Sequence, residues 1–204
     1  MTKIKICGLT RECDIMAVNM LLPEYIGFVF AQKSKRYILP EKALNLRKNL
    51  DKSIIPIGVF VNDDMDNIAR LVDNHTIDIV QLHGNETNDY IKALREKVYC
   101  KIIQAFKITD YRDIEKANIS IADYVLLDSG GGTGKTFDHS LISKINRPYF
   151  LAGGVDINNV NKLISLYNPY AVDVSSSLET DGFKDNEKMK NFVNKVRGGT
   201  ENDK

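Results

Sequence analysis

The stretch YFLAGGVDINNVNKLISLYNPYAVDVS, residues 149–175, contains one complete copy of the unit that decides the fold. It begins with the apolar run 149–153, continues through a segment with helical spacing of apolar residues at 158–166, and ends in the apolar run 171–175. Near-continuous apolar runs are typical of parallel strands that are buried on both faces. The stretch therefore predicts a strand, a helix and a second strand parallel to the first.

The same unit recurs along the chain, because apolar runs of similar length begin every 21 to 29 residues. The predicted strands are the runs 4–7, 25–30, 54–61, 77–83, 101–106, 124–128, 149–153 and 171–175. The predicted helices are the segments 11–21, 41–50, 64–74, 87–97, 109–119, 141–146, 158–166 and 186–197. The segment 109–119 is the weakest of these predictions, because it is short and polar.

Eight β–α units in succession predict a (β/α)₈ TIM barrel in a single domain. A doubly wound open sheet has the same alternation of strands and helices and is the alternative fold. The count of eight and the lack of a long insertion favour the barrel. We expect the barrel domain to cover 1–197 and the polar segment 198–204 to be a disordered tail.

Three residues are predicted to mark the starts of helices. Pro40 suits the first helical position, because the N–H that proline lacks has no partner there in any case. Asp63 and Asp138 are predicted N-caps, because a carboxylate accepts hydrogen bonds from the free N–H groups of a first turn.

The composition limits the classes of function. Lys and Arg together number 28 and Asp and Glu number 27, so the charge balance does not indicate a nucleic-acid-binding protein. The first residues carry charge too early for a signal peptide, and no apolar run reaches the roughly 18 residues of a membrane span. Three cysteines without metal-type spacing fit a reducing cytoplasm. Only three histidines are present, so we expect no metal site.

Barrel active sites lie at the carboxyl ends of the strands, so the residues that end the apolar runs are candidates for chemistry. Cys7 could act as a nucleophile or base, although a buried cysteine often serves only as a small apolar residue. Asp128 follows three apolar residues, and packing explains a carboxylate poorly there. Arg36 could bind a carboxylate with two hydrogen bonds, unless it is a solvated loop residue. His83 could be an acid, a base or a hydrogen-bonded wall residue.

Small residues follow the last two predicted strands, where barrels commonly bind phosphate. Gly154 follows the seventh strand, and Ser175 and Ser176 follow the eighth. Small side chains let the backbone approach a phosphate group closely, and hydroxyls can donate hydrogen bonds. The alternative is a pair of ordinary tight turns.

The segment DSGGGTGKTFDHS, 128–140, resembles a nucleotide-binding P-loop. Gly134, Lys135 and Thr136 match the second half of that motif, but Ser129 occupies the position of its first glycine. The segment also follows the sixth strand, whereas a P-loop usually follows an early one. We interpret it as a loop whose backbone contacts a phosphate group without nucleotide or magnesium.

Taken together, the motifs resemble the phosphoribosylanthranilate isomerases of tryptophan biosynthesis nearly from end to end. The motifs are KICGLT (5–10), GFVF (27–30), SKRYI (34–38), VQLHG (80–84), GGTGKTFD (131–138), LAGGV (151–155) and VDVSSSLE (172–179). The resemblance implies a (β/α)₈ barrel that catalyses an Amadori rearrangement of a small phosphorylated substrate without a cofactor, as a cytoplasmic monomer or homodimer.

The resemblance also implies roles for individual residues. The family's base corresponds to Cys7 and its acid to Asp128, while the arginine near the anthranilate carboxylate corresponds to Arg36. Phosphate binding corresponds to the backbone around Gly132, Gly154, Ser175 and Ser176.

Other interpretations remain open at the level of sequence. A metal-dependent phosphosugar epimerase would need several histidines at strand ends, and an indole-forming synthase would need lysines there, which Lys5 alone does not supply. A nucleotide-binding regulatory module could use 129–136, and a barrel without activity could bind an anion only.

Overall fold

The computed structural model describes residues 1–128 and 139–198, and within them eight parallel strands form a closed barrel in the order β1 to β8. The strands are β1 Lys3–Cys7, β2 Tyr25–Val29, β3 Ile55–Phe60, β4 Ile79–Leu82, β5 Lys101–Lys107, β6 Tyr124–Asp128, β7 Tyr149–Ala152 and β8 Ala171–Val174. Pairing of β1 with β8 closes the ring, and Lys5 lies opposite Asp173 in that register. The prediction of a TIM barrel is confirmed.

Helices follow the strands and cover the outside of the barrel. The α-helices are α1 Glu12–Leu21, α2 Pro40–Lys48, α3 Met65–Asp73, α4 Asn88–Arg95, α5 Tyr111–Asn118, α6 Val160–Tyr167 and α7 Asn186–Gly198. The segment predicted as a helix over 141–146 is a 3-10 helix, His139–Lys144. A second 3-10 helix, Ser176–Leu178, leads into a hairpin of β9, Glu179–Thr180, and β10, Phe183–Lys184.

The weakest predicted helix, 109–119, is present as α5 because its first turn is well capped. The Asp110 side chain accepts from the Asp113 N–H and the Asp113 side chain accepts from the Asp110 N–H, which together form a capping box, and Asp110 also accepts from the Arg112 N–H. Ile114 and Ala117 bury the inner face of the helix. Local capping and a narrow apolar stripe therefore stabilise this helix, although its polar composition makes it hard to predict from the sequence.

The predicted helix starts are correct at one position and wrong at another. Pro40 begins α2 as expected. At α3 the N-cap is Asp64, whose carboxylate accepts from the Asp66 N–H at 2.7 Å. Asp63 accepts instead from the Asp64 N–H at 2.8 Å, so the predicted cap is one residue too early. Asp138 lies outside the described residues.

Alternation along each strand separates two apolar regions. Residues that point outward, such as Ile4 and Ile6, pack against the helices, and residues that point inward, such as Ile57 and Leu126, fill the barrel. Inward residues at the carboxyl ends of the strands line a cavity. The fold therefore collects at one end of the barrel the side chains that close each strand.

The last helix extends one residue into the segment that was expected to be a tail. Gly198, the first residue of the expected tail, is the last residue of α7, and 199–204 lie outside the described residues. Within 1–128 and 139–198, each helix is too short or too polar to cross a bilayer.

Candidate active site

A cavity of about 660 Å³ opens at the carboxyl ends of the strands. Its lining includes every described residue that the sequence analysis assigned to a site: Cys7, Arg36, Asp128, Gly154, Ser175 and Ser176. Gly132, the remaining candidate, lies outside the described residues. The barrel thus brings together residues that are up to 169 positions apart in the chain.

Cys7 is the last residue of β1 and points into the barrel, where it is 9% exposed. Its neighbour on β2 is Gly27, and a Cβ atom at that position would stand only 2.5 Å from the Cys7 sulfur. Val29 and Val59 pack beside it. The absence of a side chain at Gly27 therefore makes room for the thiol.

The charge environment of Cys7 contains opposing effects. Burial raises the pKa of the thiol above its usual value, while the positive charges of Lys5 and Lys184 act to lower it. Asp173 adds a negative charge that raises it further. Burial thus favours the neutral thiol, while the two nearby lysines favour its thiolate.

Asp128 ends β6 with its side chain beside His83, whose Nε2 lies 3.4 Å from Asp128 Oδ2. On the other side of the imidazole ring, Nδ1 lies 2.9 Å from the Gln81 side-chain nitrogen. The imidazole ring is thus held between the Gln81 amide and the Asp128 carboxylate. Gln81 was missed in the sequence, because its position inside a strand resembles packing.

Arg36 lies at the mouth of the cavity and is held by Glu179, the first residue of β9. Arg36 Nε and Nη2 donate to the two Glu179 oxygens at 2.6 and 2.7 Å. The aliphatic part of Arg36 crosses over Gly8, where a Cβ atom would stand 2.4 Å from its Cδ. Two-point binding to a carboxylate fixes the plane of a guanidinium group, so Arg36 is oriented before any ligand arrives.

Lys184 on β10 completes this cluster. Its ammonium group donates to Glu179 Oε1 and to the Ser175 carbonyl oxygen, the latter at 3.1 Å. Burial works to raise the pKa of Glu179, but hydrogen bonds from Arg36 and Lys184 hold that pKa below its usual value. Glu179 is therefore a stable anion between two cations. Neither Glu179 nor Lys184 could be identified as a site residue from the sequence, because the β9–β10 hairpin that carries them has no periodic pattern.

The candidate phosphate-binding residues lie side by side after β7 and β8. Gly154 has a φ of +68°, a conformation that favours glycine, and apart from its chain neighbours no atom of the described residues stands within 4 Å of where its Cβ would be. The Ser175 hydroxyl donates to the Cys7 carbonyl at 2.9 Å, so that side chain is already engaged. Ser176 begins a 3-10 helix. Both segments line the cavity.

Within the part of the chain that the structure describes, no group of three or more His, Cys, Asp or Glu side chains is arranged to hold a metal ion. Asp156 and Asp173 also line the cavity, and Asp173 is paired with the buried Lys5.

Comparison with known proteins gives a consistent result. Residues 4–195 match the family model described as N-(5′phosphoribosyl)anthranilate (PRA) isomerase. The chain is 46% identical to N-(5′-phosphoribosyl)anthranilate isomerase of Thermoanaerobacter sp. (strain X514), covering 97% of this chain and 99% of that protein. It is also 46% identical to the protein of that name from Clostridium acetobutylicum, with 97% and 98% covered.

Solved structures agree with the sequence comparison. Phosphoribosyl anthranilate isomerase from Thermotoga maritima is 36% identical with a TM-score of 0.88, covering 97% of this chain and 100% of that one. A phosphoribosyl anthranilate isomerase in complex with reduced 1-(o-carboxyphenylamino)-1-deoxyribulose 5-phosphate is 34% identical with a TM-score of 0.86 and the same coverage.

Proposed function

The chain belongs to the N-(5′-phosphoribosyl)anthranilate isomerase family, and from that premise we propose how its own residues carry out the reaction. It is an isomerase of tryptophan biosynthesis that converts N-(5-phosphoribosyl)anthranilate to 1-(2-carboxyphenylamino)-1-deoxy-D-ribulose 5-phosphate, an aldose–ketose isomerisation. The observation that carries the residue assignments is that Cys7 and Asp128 line one cavity from strands that are three positions apart around the ring.

Asp128 is the general acid in this proposal. Its carboxyl group protonates the ribose ring oxygen as the bond from C1 to that oxygen breaks, and the anthranilate nitrogen supplies an electron pair to form a Schiff base. The imidazole of His83, whose Nε2 lies 3.4 Å from Asp128 Oδ2, stabilises the carboxylate left after proton transfer. Because the Gln81 amide contacts the other ring nitrogen, His83 is held in place and is a positioning residue for Asp128.

Cys7 is the general base. Its thiolate removes the proton from C2 of the Schiff base, which gives an enolamine, and the enolamine becomes the ketone when C1 is protonated. The isomerisation neither adds nor removes protons or electrons overall, so the substrate needs no external source of either. A base and an acid on different sides of one sugar suffice, which supports the proposal that the chain uses no cofactor and no metal.

Arg36 binds the anthranilate carboxylate. Glu179 occupies its Nε and one position on Nη2, so Nη1 and the other Nη2 hydrogen are the donors assigned to the substrate. Glu179 forms ion pairs with both Arg36 and Lys184, so this side of the cavity carries two positive charges and one negative charge. Its net positive charge suits an anionic aromatic ring substituent.

The phosphate group binds to backbone N–H groups after β7 and β8. Support comes from Gly154, beside which the described residues leave room, and from the position of Ser176 at the start of a 3-10 helix. Because the Ser175 hydroxyl is engaged by Cys7, the backbone of Ser175 rather than its side chain is assigned to the phosphate. Gly132 is assigned to the same group by family resemblance alone.

The setting of the enzyme is also a proposal in part. A small phosphorylated substrate is supported by the relative that binds a reduced 1-deoxyribulose 5-phosphate derivative. We propose that the chain works in the cytoplasm, with neither nucleic acid nor membrane as a partner, in a barrel domain of residues 1–197. A monomer and a homodimer are both compatible with the fold, and the solved Thermotoga maritima isomerase is described as dimeric in its unmodified form.

The direct experiment is a fluorescence assay in which purified protein consumes freshly made N-(5-phosphoribosyl)anthranilate. We expect the anthranilate-linked signal to decay at an enzyme-dependent rate that EDTA leaves unchanged. Decay that EDTA abolishes, and that a divalent metal ion restores, would contradict the metal-free mechanism.

A further inference from the structure

Lys5 is the largest fully buried side chain of the described core, with 0% exposure. It lies on the inward face of β1, two residues from Lys3 on one side and two residues from Cys7 on the other. A charged ammonium group is rarely buried completely, because its loss of hydration is strongly unfavourable. The mechanism proposed above gives Lys5 no role, so its burial calls for a separate explanation.

The partner of Lys5 is Asp173, which faces it across the junction that closes the barrel. The two residues are paired in the β1–β8 register, and Lys5 Nζ donates to Asp173 Oδ2 at 2.9 Å. Asp173 Oδ1 has no hydrogen-bond partner among the described residues. A well-packed apolar pair is usually at least as stabilising as a buried ion pair. Stability of the barrel alone therefore does not explain the pair.

The position of the pair explains it better. Side chains at i and i+2 of a strand point to the same side, so Lys5 and Cys7 both enter the barrel, one layer apart. The positive charge of the Lys5 ammonium group acts to lower the pKa of the Cys7 thiol. Other charged groups that face Cys7 are Asp173 on β8, Lys184 on β10 and Arg36 after β2. Among the cations, Lys5 has the largest influence on the thiol.

We propose that Lys5 is a positioning residue whose buried ammonium group, held in place by Asp173, stabilises the thiolate form of Cys7. The inference rests on the proposed role of Cys7 as the base. In the free enzyme the thiol proton leaves to water through the cavity, and in the reaction the C2 proton moves to the sulfur. Lys5 keeps its proton throughout, because the negative charges around it outweigh the effect of burial and raise its pKa.

The test measures the Cys7 thiolate directly, without substrate. In a Cys13→Ser/Cys100→Ser background Cys7 is the single cysteine, and its rate of alkylation by iodoacetamide follows the thiolate fraction. Lys5→Met is expected to slow alkylation at a fixed mildly alkaline pH by about tenfold or more, since one unit of pKa is a factor of ten. Lys3→Met is the matched control, because Lys3 lies on the same face of β1 but bonds to Tyr170 at the far end of the barrel, and it should leave the rate unchanged.

A second variant guards against misfolding, because Lys5→Met leaves a buried carboxylate without its partner. Lys5→Gln/Asp173→Asn replaces the ion pair by neutral groups that can hydrogen-bond. It should also slow alkylation, since Lys5 affects the thiol more strongly than Asp173 does. Equal alkylation rates in the parent and in either folded variant would overturn the inference. Ordinary turnover by Cys7→Ser would instead remove the base on which it rests, so the two failures are distinguishable.

Discussion

Gly27 gives a sharp test of how closely the position of Cys7 controls the reaction. In Gly27→Ala the new Cβ atom would stand 2.5 Å from the Cys7 sulfur and 3.1 Å from its Cα. Non-bonded heavy atoms normally stand about 3.5–4.0 Å apart, so the sulfur has to move by about 1 Å or rotate away. Either movement takes the proposed base from its place in the cavity.

The expected loss of activity follows from that displacement. A misplacement of about 1 Å can lower a rate by about 10²-fold, so Gly27→Ala should lower kcat by about that factor. Overpacking of a filled interior typically costs about 1–3 kcal/mol of stability. Both quantities are measured on one preparation, kcat by the fluorescence assay and the free energy of unfolding by urea denaturation.

Gly58→Ala is a matched control for the overpacking. A Cβ atom there would stand 2.6 Å from Ile77 Cδ1 and 2.8 Å from Phe60, on the outer side of the barrel away from Cys7. It should lower the free energy of unfolding by a similar amount while leaving kcat unchanged. If folded Gly27→Ala turns over like the parent protein, or if both variants lose activity equally, a fixed thiol position is not what the reaction requires.

Three further predictions concern the acid–base pair, the carboxylate site and the response to acid. Cys7→Ser and Asp128→Asn should each lower kcat by about 10²–10⁴-fold, the usual range for general acid–base groups; steady-state kinetics decides, and near-normal turnover in either variant removes that residue's role. Arg36→Ala should mainly raise KM for the anthranilate substrate, and an unchanged KM would refute carboxylate binding. Burial works to raise the pKa of Asp113, but hydrogen bonds from Thr109 and neighbouring groups hold it at about 2. Its stabilising contribution is therefore present above the unfolded pKa of about 3.9 and is lost as pH falls toward about 2. In Asp113→Asn the free energy of unfolding should fall less steeply over that interval, and identical acid titrations of the two proteins would contradict this.

The barrel could be predicted because its signal is repeated along the chain. Each strand is an apolar run, and the steps between runs are nearly constant, so errors at single elements do not change the count. The errors that do occur are local. Asp63 and Asp64 both precede α3, and only the backbone conformation decides which of them caps it.

The site residues that end a strand could be predicted from the sequence, because the pattern of apolar runs locates the strand ends. Cys7 and Asp128 end their strands and point inward, so knowing the fold sufficed to bring them to one cavity. Glu179 and Lys184 could not be predicted, because a short hairpin carries them to the side of Arg36 and no periodic pattern marks that hairpin.

Lys5 shows a different limit of sequence reasoning. Alternation of lysine and isoleucine in KIKIC, 3–7, is typical of a strand with its lysines in water. In a closed barrel the isoleucines instead face the helices and Lys5 enters the interior. Only the closure of the ring, which brings Asp173 opposite Lys5, makes that arrangement tolerable.

The most direct test of the proposed mechanism is a crystal structure of this protein with reduced 1-(o-carboxyphenylamino)-1-deoxyribulose 5-phosphate bound. We expect the sugar carbons to lie between the Cys7 sulfur and the Asp128 carboxyl group. The sulfur should lie within about 3–4 Å of C2, and the carboxyl group should lie within about 3–4 Å of the former ring oxygen. A ligand that leaves either side chain out of reach, or that contacts both from the same side, would contradict the assignment of base and acid.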